Sequence, residues 1–168
     1  MSWVVPVTAV LQVLLLVHVA MTDVAARLIR NEVCLALALL GIIGQLASPV
    51  QLAQSLIVAA ILFLLLLVLY TKRCIGGGDV KLLVALAVGF PLVGMVQLLT
   101  ITALAGGVLA LVHVMMRILP NPALAPAGSS FMRRVYAVER WRHLRHAPLP
   151  YGVAIASGGI SAILNRGF

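Results

Sequence analysis

Residues 33–70 read VCLALALLGIIGQLASPVQLAQSLIVAAILFLLLLVLY, and this stretch decides the fold. A bilayer core about 30 Å thick is crossed by about 20 apolar helical residues, so the stretch is too long for one crossing. Ser48, Pro49, Val50 and Gln51 interrupt it near the middle, which divides it into spans over 33–47 and 52–70. Working outward, a further apolar stretch runs from Val4 to Met21, and another of double length runs from Val80 to Met116. The latter breaks somewhere from Gly89 through Pro91 to about Leu98, giving spans over 80–96 and 99–116. A short last span follows Pro150 to Leu164, because the basic connector before it does not belong in hydrocarbon. The expected fold is all-α, a polytopic transmembrane bundle of six spans forming one domain over residues 1–168.

Composition agrees, since 63% of the 168 residues are apolar and 10% are charged, too few to coat a water-soluble globule. Twelve Lys and Arg against four Asp and Glu give a net charge of +8. Alternating the spans puts Arg27, Arg30, Lys72, Arg73, Lys81, Arg117, Arg133, Arg134, Arg140, Arg142 and Arg145 on one side and Arg166 alone on the other. The positive-inside rule makes the first side the cytoplasm, with both termini on the non-cytoplasmic side and inner segments over 22–32, 71–79 and 118–148. The apolar stretch at the N-terminus has no basic residue before it and only a weak small-residue pattern at Val19 and Ala20, so it reads as a retained span. In the third inner segment Phe131, Val135, Val138 and Trp141 recur at helical spacing among arginines, which fits either an interfacial helix on anionic lipid or a solvated loop. A nucleic-acid partner is not expected, because the basic residues track topology and aromatics make up only 5% of the chain. Cys34 and Cys74 form no zinc motif or disulfide framework and are expected to be reduced. His18, His113, His143 and His146 do not cluster at ligand spacing, so no metal is expected.

The two aspartates of the chain both fall at expected cytoplasmic ends of spans, Asp23 just after the first and Asp79 just before the fourth. A carboxylate at the membrane interface is costly unless paired or solvated. Hydrolysis by an aspartic mechanism uses two carboxyls sharing a proton, one taking a proton from water and the other bonding the scissile carbonyl. Asp79 closes the run Gly76, Gly77, Gly78, Asp79, whose glycines let chain and substrate approach closely. An alternative reading makes Asp79 an N-cap and the glycines a turn. Asn31 likewise reads as an N-cap for the second span, and Glu32 has an ordinary helix-dipole role.

Gly76, Gly78, Asp79, Lys81, Leu82 and Leu83, together with Asp23, Arg27, Ile29 and Asn31, resemble the type IV prepilin peptidases, membrane aspartic peptidases with a Gly-x-Gly-Asp motif. Leu149, Pro150, Tyr151 and Gly152 fit the same pattern, and the resemblance is strongest to the small members serving Flp, or tight-adherence, pili. It implies that Asp23 and Asp79 are catalytic, that Gly76 and Gly78 form the motif loop, and that Arg27, Asn31 and Lys81 are supporting candidates, Lys81 as a cation that lowers one carboxylate's pKa. It also implies a prepilin substrate, with pseudopilins as further candidates, whose short basic leader is cut at the cytoplasmic face of a bacterial or archaeal inner membrane. Membrane lipid is the other expected partner, and nothing in the sequence sets the oligomeric state. Larger members carry a cytosolic insert with Cys-x-x-Cys pairs and methylate the new N-terminus. The segment here is only about ten residues and lacks such pairs, so methyl transfer, S-adenosylmethionine and any other cofactor are not expected. Two competing readings are a small transporter, channel or pilus-assembly subunit, in which the aspartates line a hydrated path or pair with arginines, and a lipid transferase.

Overall fold

The computed structural model describes residues 3–118 and 149–165, and all regular structure among them is α-helical. The helices are α1 (Val4–Ala26), α2 (Asn31–Gln45), α3 (Pro49–Thr71), α4 (Gly77–Gly89), α5 (Leu92–Ile118) and α6 (Tyr151–Leu164). The helix-or-loop question over Phe131, Val135, Val138 and Trp141 lies outside the described residues. Of the six expected crossings, α1, α3 and residues 92–115 of α5 are long and apolar enough to cross a membrane. Helices α2, α4 and α6 have 15, 13 and 14 residues. At 1.5 Å per residue each is at most about 23 Å long, shorter than a hydrocarbon core of about 30 Å.

Local chemistry sets the ends. Pro49 opens α3, where its fixed φ and missing N–H cost nothing. The break expected somewhere from Gly89 to about Leu98 falls at Phe90 and Pro91, near the start of that interval and ahead of the 96–99 boundary drawn for the spans. Proline pushes the preceding residue out of the helical region, and Phe90 has φ −119° and ψ 130°. α1 continues past the expected end at Met21, and the Thr22 hydroxyl bonds back to the His18 and Val19 carbonyls, both 3.1 Å, an arrangement compatible with a helix interior. It stops at Arg27, whose left-handed φ of 55° places its N–H on the Asp23 carbonyl. Asp23 therefore stands in the last turn of α1 and Asp79 inside α4. Within the stretches 22–32 and 71–79 the non-helical links cover 27–30 and 72–76.

The chain forms two compact units, residues 1–106 with 150–168, and residues 107–149. In the second unit the described part is the helical run 107–118 and Leu149, and His113 Nδ1 there lies 3.2 Å from the Leu109 carbonyl oxygen. In the first unit α4 is central and packs against α2, α3 and α6, while α1 packs against α2 and α6. Leu82, Leu86 and Ala87 of α4, Leu16 of α1, Leu37 of α2 and Ile155 of α6 are fully buried. Because lipid is as apolar as leucine, close backbone approach and polar bonds hold such helices together. Gly41 and Gly89 supply the approach, since a Cβ on Gly41 would lie 2.6 Å from Gly89 Cα. The Gln45 amide nitrogen donates to the Val88 carbonyl at 3.2 Å, satisfying a group freed where α4 ends, and the Ser55 hydroxyl donates to the Gln45 side-chain oxygen at 2.8 Å.

Candidate active site

Asp23 is 6% exposed. Its surroundings follow from how α6 begins. The first N–H groups of a helix have no partner within it, and Pro150, at the cap position, makes no side-chain cap bond. Asp23 supplies the acceptor from another helix. The backbone N–H of Gly152 donates to Asp23 Oδ2 at 2.8 Å, and the N–H of Val153 is a second donor. The positive end of α6 thus faces the carboxylate. Position 152 has no room for a side chain, because a Cβ there would lie 2.8 Å from Oδ2 and 2.9 Å from Cγ of Asp23. The field of Arg27, one turn further on, also reaches Asp23.

Asp79 is the third residue of α4 and is half-buried, just ahead of the apolar run that begins at Val80. The cap position belongs to Gly76, and the Asp79 carboxylate reaches back to accept from the Gly76 N–H. Capping is therefore part of what Asp79 does, but from inside the first turn. Its pKa is pushed from 3.8 up to about 6, first by burial and then by the negative charge of Asp23, against the lowering effect of the Gly76 bond. The two carboxyl groups thus lie within electrostatic reach of each other although they come from different helices.

The glycines before Asp79 act by size. Gly76 has an ordinary extended φ of −74°, and a Cβ there would sit 3.0 Å from Asp79 Oδ2. A Cβ on Gly78 would touch Ile29 at 3.4 Å, so the start of α4 lies close against the link between α1 and α2.

Two expectations for the surrounding residues change. Asn31 is the first residue of α2 rather than its cap, and its Oδ1 accepts a hydrogen bond from Lys81 Nζ at 3.0 Å. Lys81 therefore ties α4 to α2, and what acts on Asp79 is burial, Asp23 and Gly76. Glu32 pairs with Arg30 at 3.3 Å on the surface, and His18 is exposed. Cys34 is buried and Cys74 exposed, both as free thiols. Among the described residues no group of three or more His, Cys, Asp and Glu is arranged to hold a metal ion. The sequence pattern had singled out Gly152 without a role. Its one local signal was a glycine directly after Pro150 and Tyr151 at the start of a span.

These features define an all-helical membrane protein in which acidic side chains from two helix ends share one electrostatic environment. The sequence model of the type IV leader peptidase family matches residues 10–111, and the chain belongs to that family, a family of membrane peptidases acting on prepilins. No curated protein and no solved structure matches the chain.

Proposed function

We propose that the chain is an aspartic endopeptidase that removes the short basic leader of Flp-type prepilins, and of related pseudopilins, at the cytoplasmic face of a bacterial or archaeal inner membrane. The observation that carries this reading is the coupling of Asp79 to Asp23, since a shared-proton mechanism requires two carboxyls that feel each other's charge. Asp23, bonded to the N–H of Gly152, is the ionised partner that takes a proton from the attacking water. Asp79, whose protonated form is favoured by burial and by Asp23, donates a hydrogen bond to the scissile carbonyl oxygen. Gly76 and Gly78 keep the approach to Asp79 free of side chains. Arg27 contributes positive charge near Asp23, and the Lys81–Asn31 bond holds α4 against α2. Peptide hydrolysis by this pair needs no cofactor. The absence of Cys-x-x-Cys pairs supports cleavage without methyl transfer.

In the arrangement we favour, the chain crosses the membrane six times with both termini outside, so that both aspartates sit near the cytosol. The excess of Lys and Arg in the segments on that side supports it.

The test is co-expression with an Flp-type prepilin, following the mobility shift on leader removal at matched protein levels. Wild type is expected to cleave, and Asp23→Asn and Asp79→Asn each to lose at least about 100-fold in rate. Cleavage that survives either substitution removes that aspartate from the pair. Absence of cleavage by wild type across several prepilins moves the function to transport or pilus assembly.

A further inference from the structure

Helices α1 and α6 run antiparallel along each other. Asp23 at the end of α1 meets Gly152 at the start of α6, and Leu16 lies beside Gly159 further along. Between them, on the outward side, is an open groove of about 550 Å³. Val17, Ala20, Met21 and Val24 line one wall, and Val153 and Ser157 are in the other. The end of the groove lies beside the aspartate, since Val24, Ala25 and Val153 in its lining are each within two residues of Asp23 or of its anchor Gly152. The lining on α1 runs from Val17 to Ala25, eight steps of 1.5 Å, which give it a length of about 12 Å. It sets no polar requirement, because the hydroxyl of Ser157 is satisfied by the Ala154 carbonyl at 2.7 Å. Ala20 and Ser157 are small enough to let a second helix approach closely.

The occupant follows from which side of the aspartates is open. Asp79 stands on α4, whose Leu82, Leu83, Ala85, Leu86 and Ala87 are buried against neighbouring helices, leaving little free surface for a substrate. Asp23 stands on α1, whose Val17, Met21 and Val24 are 43%, 65% and 42% exposed. A polypeptide cut between the two aspartates leaves the site within one or two residues, each about 3.5 Å long. If that continuation is an apolar helix lying in the bilayer, the α1–α6 groove is the apolar surface at the required distance on the open side.

We propose that the groove between α1 and α6 is the docking site for the apolar transmembrane helix that follows the scissile bond of the substrate. This rests on the peptidase reading given above. A groove at this place makes helix docking, and not leader sequence alone, set the depth at which the bond meets the two aspartates. Substrates would then be selected by a helix whose first two turns are apolar and smooth enough to seat against Ala20 and Ser157.

Two measurements test it with the full-length chain in membranes. In kinetics, Ala20→Phe and Ser157→Phe fill the groove and are expected to raise the apparent KM for a membrane-embedded prepilin roughly tenfold with little change in kcat, the scale of a misfitted apolar pocket. Leu64→Phe, on the outward face of α3, serves as control and is expected to behave as wild type. In cross-linking, Met21→Cys and Ser157→Cys are placed singly in an Asp79→Asn, Cys74→Ser chain, against a cysteine in the second turn of the prepilin helix. Disulfide formation is expected from both positions and not from Leu64→Cys. Cross-links that are absent, or equal at the control position, together with unchanged KM, mean that lipid fills the groove and overturn the proposal. Because cross-linking needs no turnover, selective cross-links in this background together with no cleavage by wild type would uphold docking while rejecting the peptidase reading.

Discussion

Helices α3 and α4 pack against each other, yet α3 turns most of its surface outward and α4 almost none. α3 has 23 residues, and Leu64, Leu65 and Val68 are among its many exposed apolar side chains. α4 has 13 residues, seven of them buried, and it carries Asp79 at one end and the Gly89 contact at the other. The difference shows what an apolar residue means in lipid. On α3 a leucine is solvated by acyl chains and can be replaced at small cost, whereas the position of α4 is set by a missing side chain, a carbonyl in need of a donor and a carboxyl. Hydropathy alone ranks the two helices in the wrong order of importance.

That contrast fails if substitutions on the two helices weigh the same. The largest difference is expected between Gly41→Leu and Leu65→Ala. The first forces a side chain into the backbone of α4 and is expected to destabilise by about 3 kcal/mol or more, the upper part of the overpacking range. The second is expected to stay within about 0.5 kcal/mol. Thermal unfolding of both variants in detergent micelles checks this, and equal shifts would erase the contrast. Next comes Gln45→Ala, which leaves the Val88 carbonyl and the Ser55 hydroxyl without this partner and is expected to cost about 1–2 kcal/mol in the same assay.

The titration of Asp79 gives a subtler probe. Its pKa is raised on folding from 3.8 to about 6, so the folded state holds a proton more tightly than the unfolded chain does. The associated stability is present in full below pH 3.8 and is lost as the pH rises through about 6. Asp79→Asn is expected to flatten the slope of melting temperature against pH in that window and to raise stability above it. Asp23→Asn, by removing the neighbouring charge, is expected to move the midpoint downward. An unchanged slope in Asp79→Asn would show that another group titrates there. The smallest effect is expected from Lys81→Met, because its bond to Asn31 is exposed to solvent. Leader cleavage should stay within about threefold of wild type and stability within about 1 kcal/mol.

How much of this was legible depends on the range of the forces involved. The break between α2 and α3 was readable because Pro49 acts locally on its own helix. The break at Phe90 and Pro91 was readable only as an interval, since apolar residues on both sides left the length of each helix open. The extension of α1 through Asp23 was not readable, because the stop is made by a left-handed arginine rather than by glycine or asparagine. Asn31 looked like a cap because its actual partner, Lys81, is far along the chain. The role of Gly152 belongs to the same class. Nothing local marks a glycine whose purpose is to leave room for a carboxylate on another helix.

The hydrogen bond from Gly76 to Asp79 bears on the enzyme at rest. The amide needs only an acceptor and the carbonyl of a substrate needs only a donor, so the two do not contend for the same part of a protonated carboxyl. A Cβ on Gly76 would meet Oδ2 of Asp79 first, which leaves the other oxygen facing away from the helix start. For the hydrolysis proposed above, the backbone would thus choose which oxygen accepts and which is left to carry the proton. The first turn of the helix orients its own reagent.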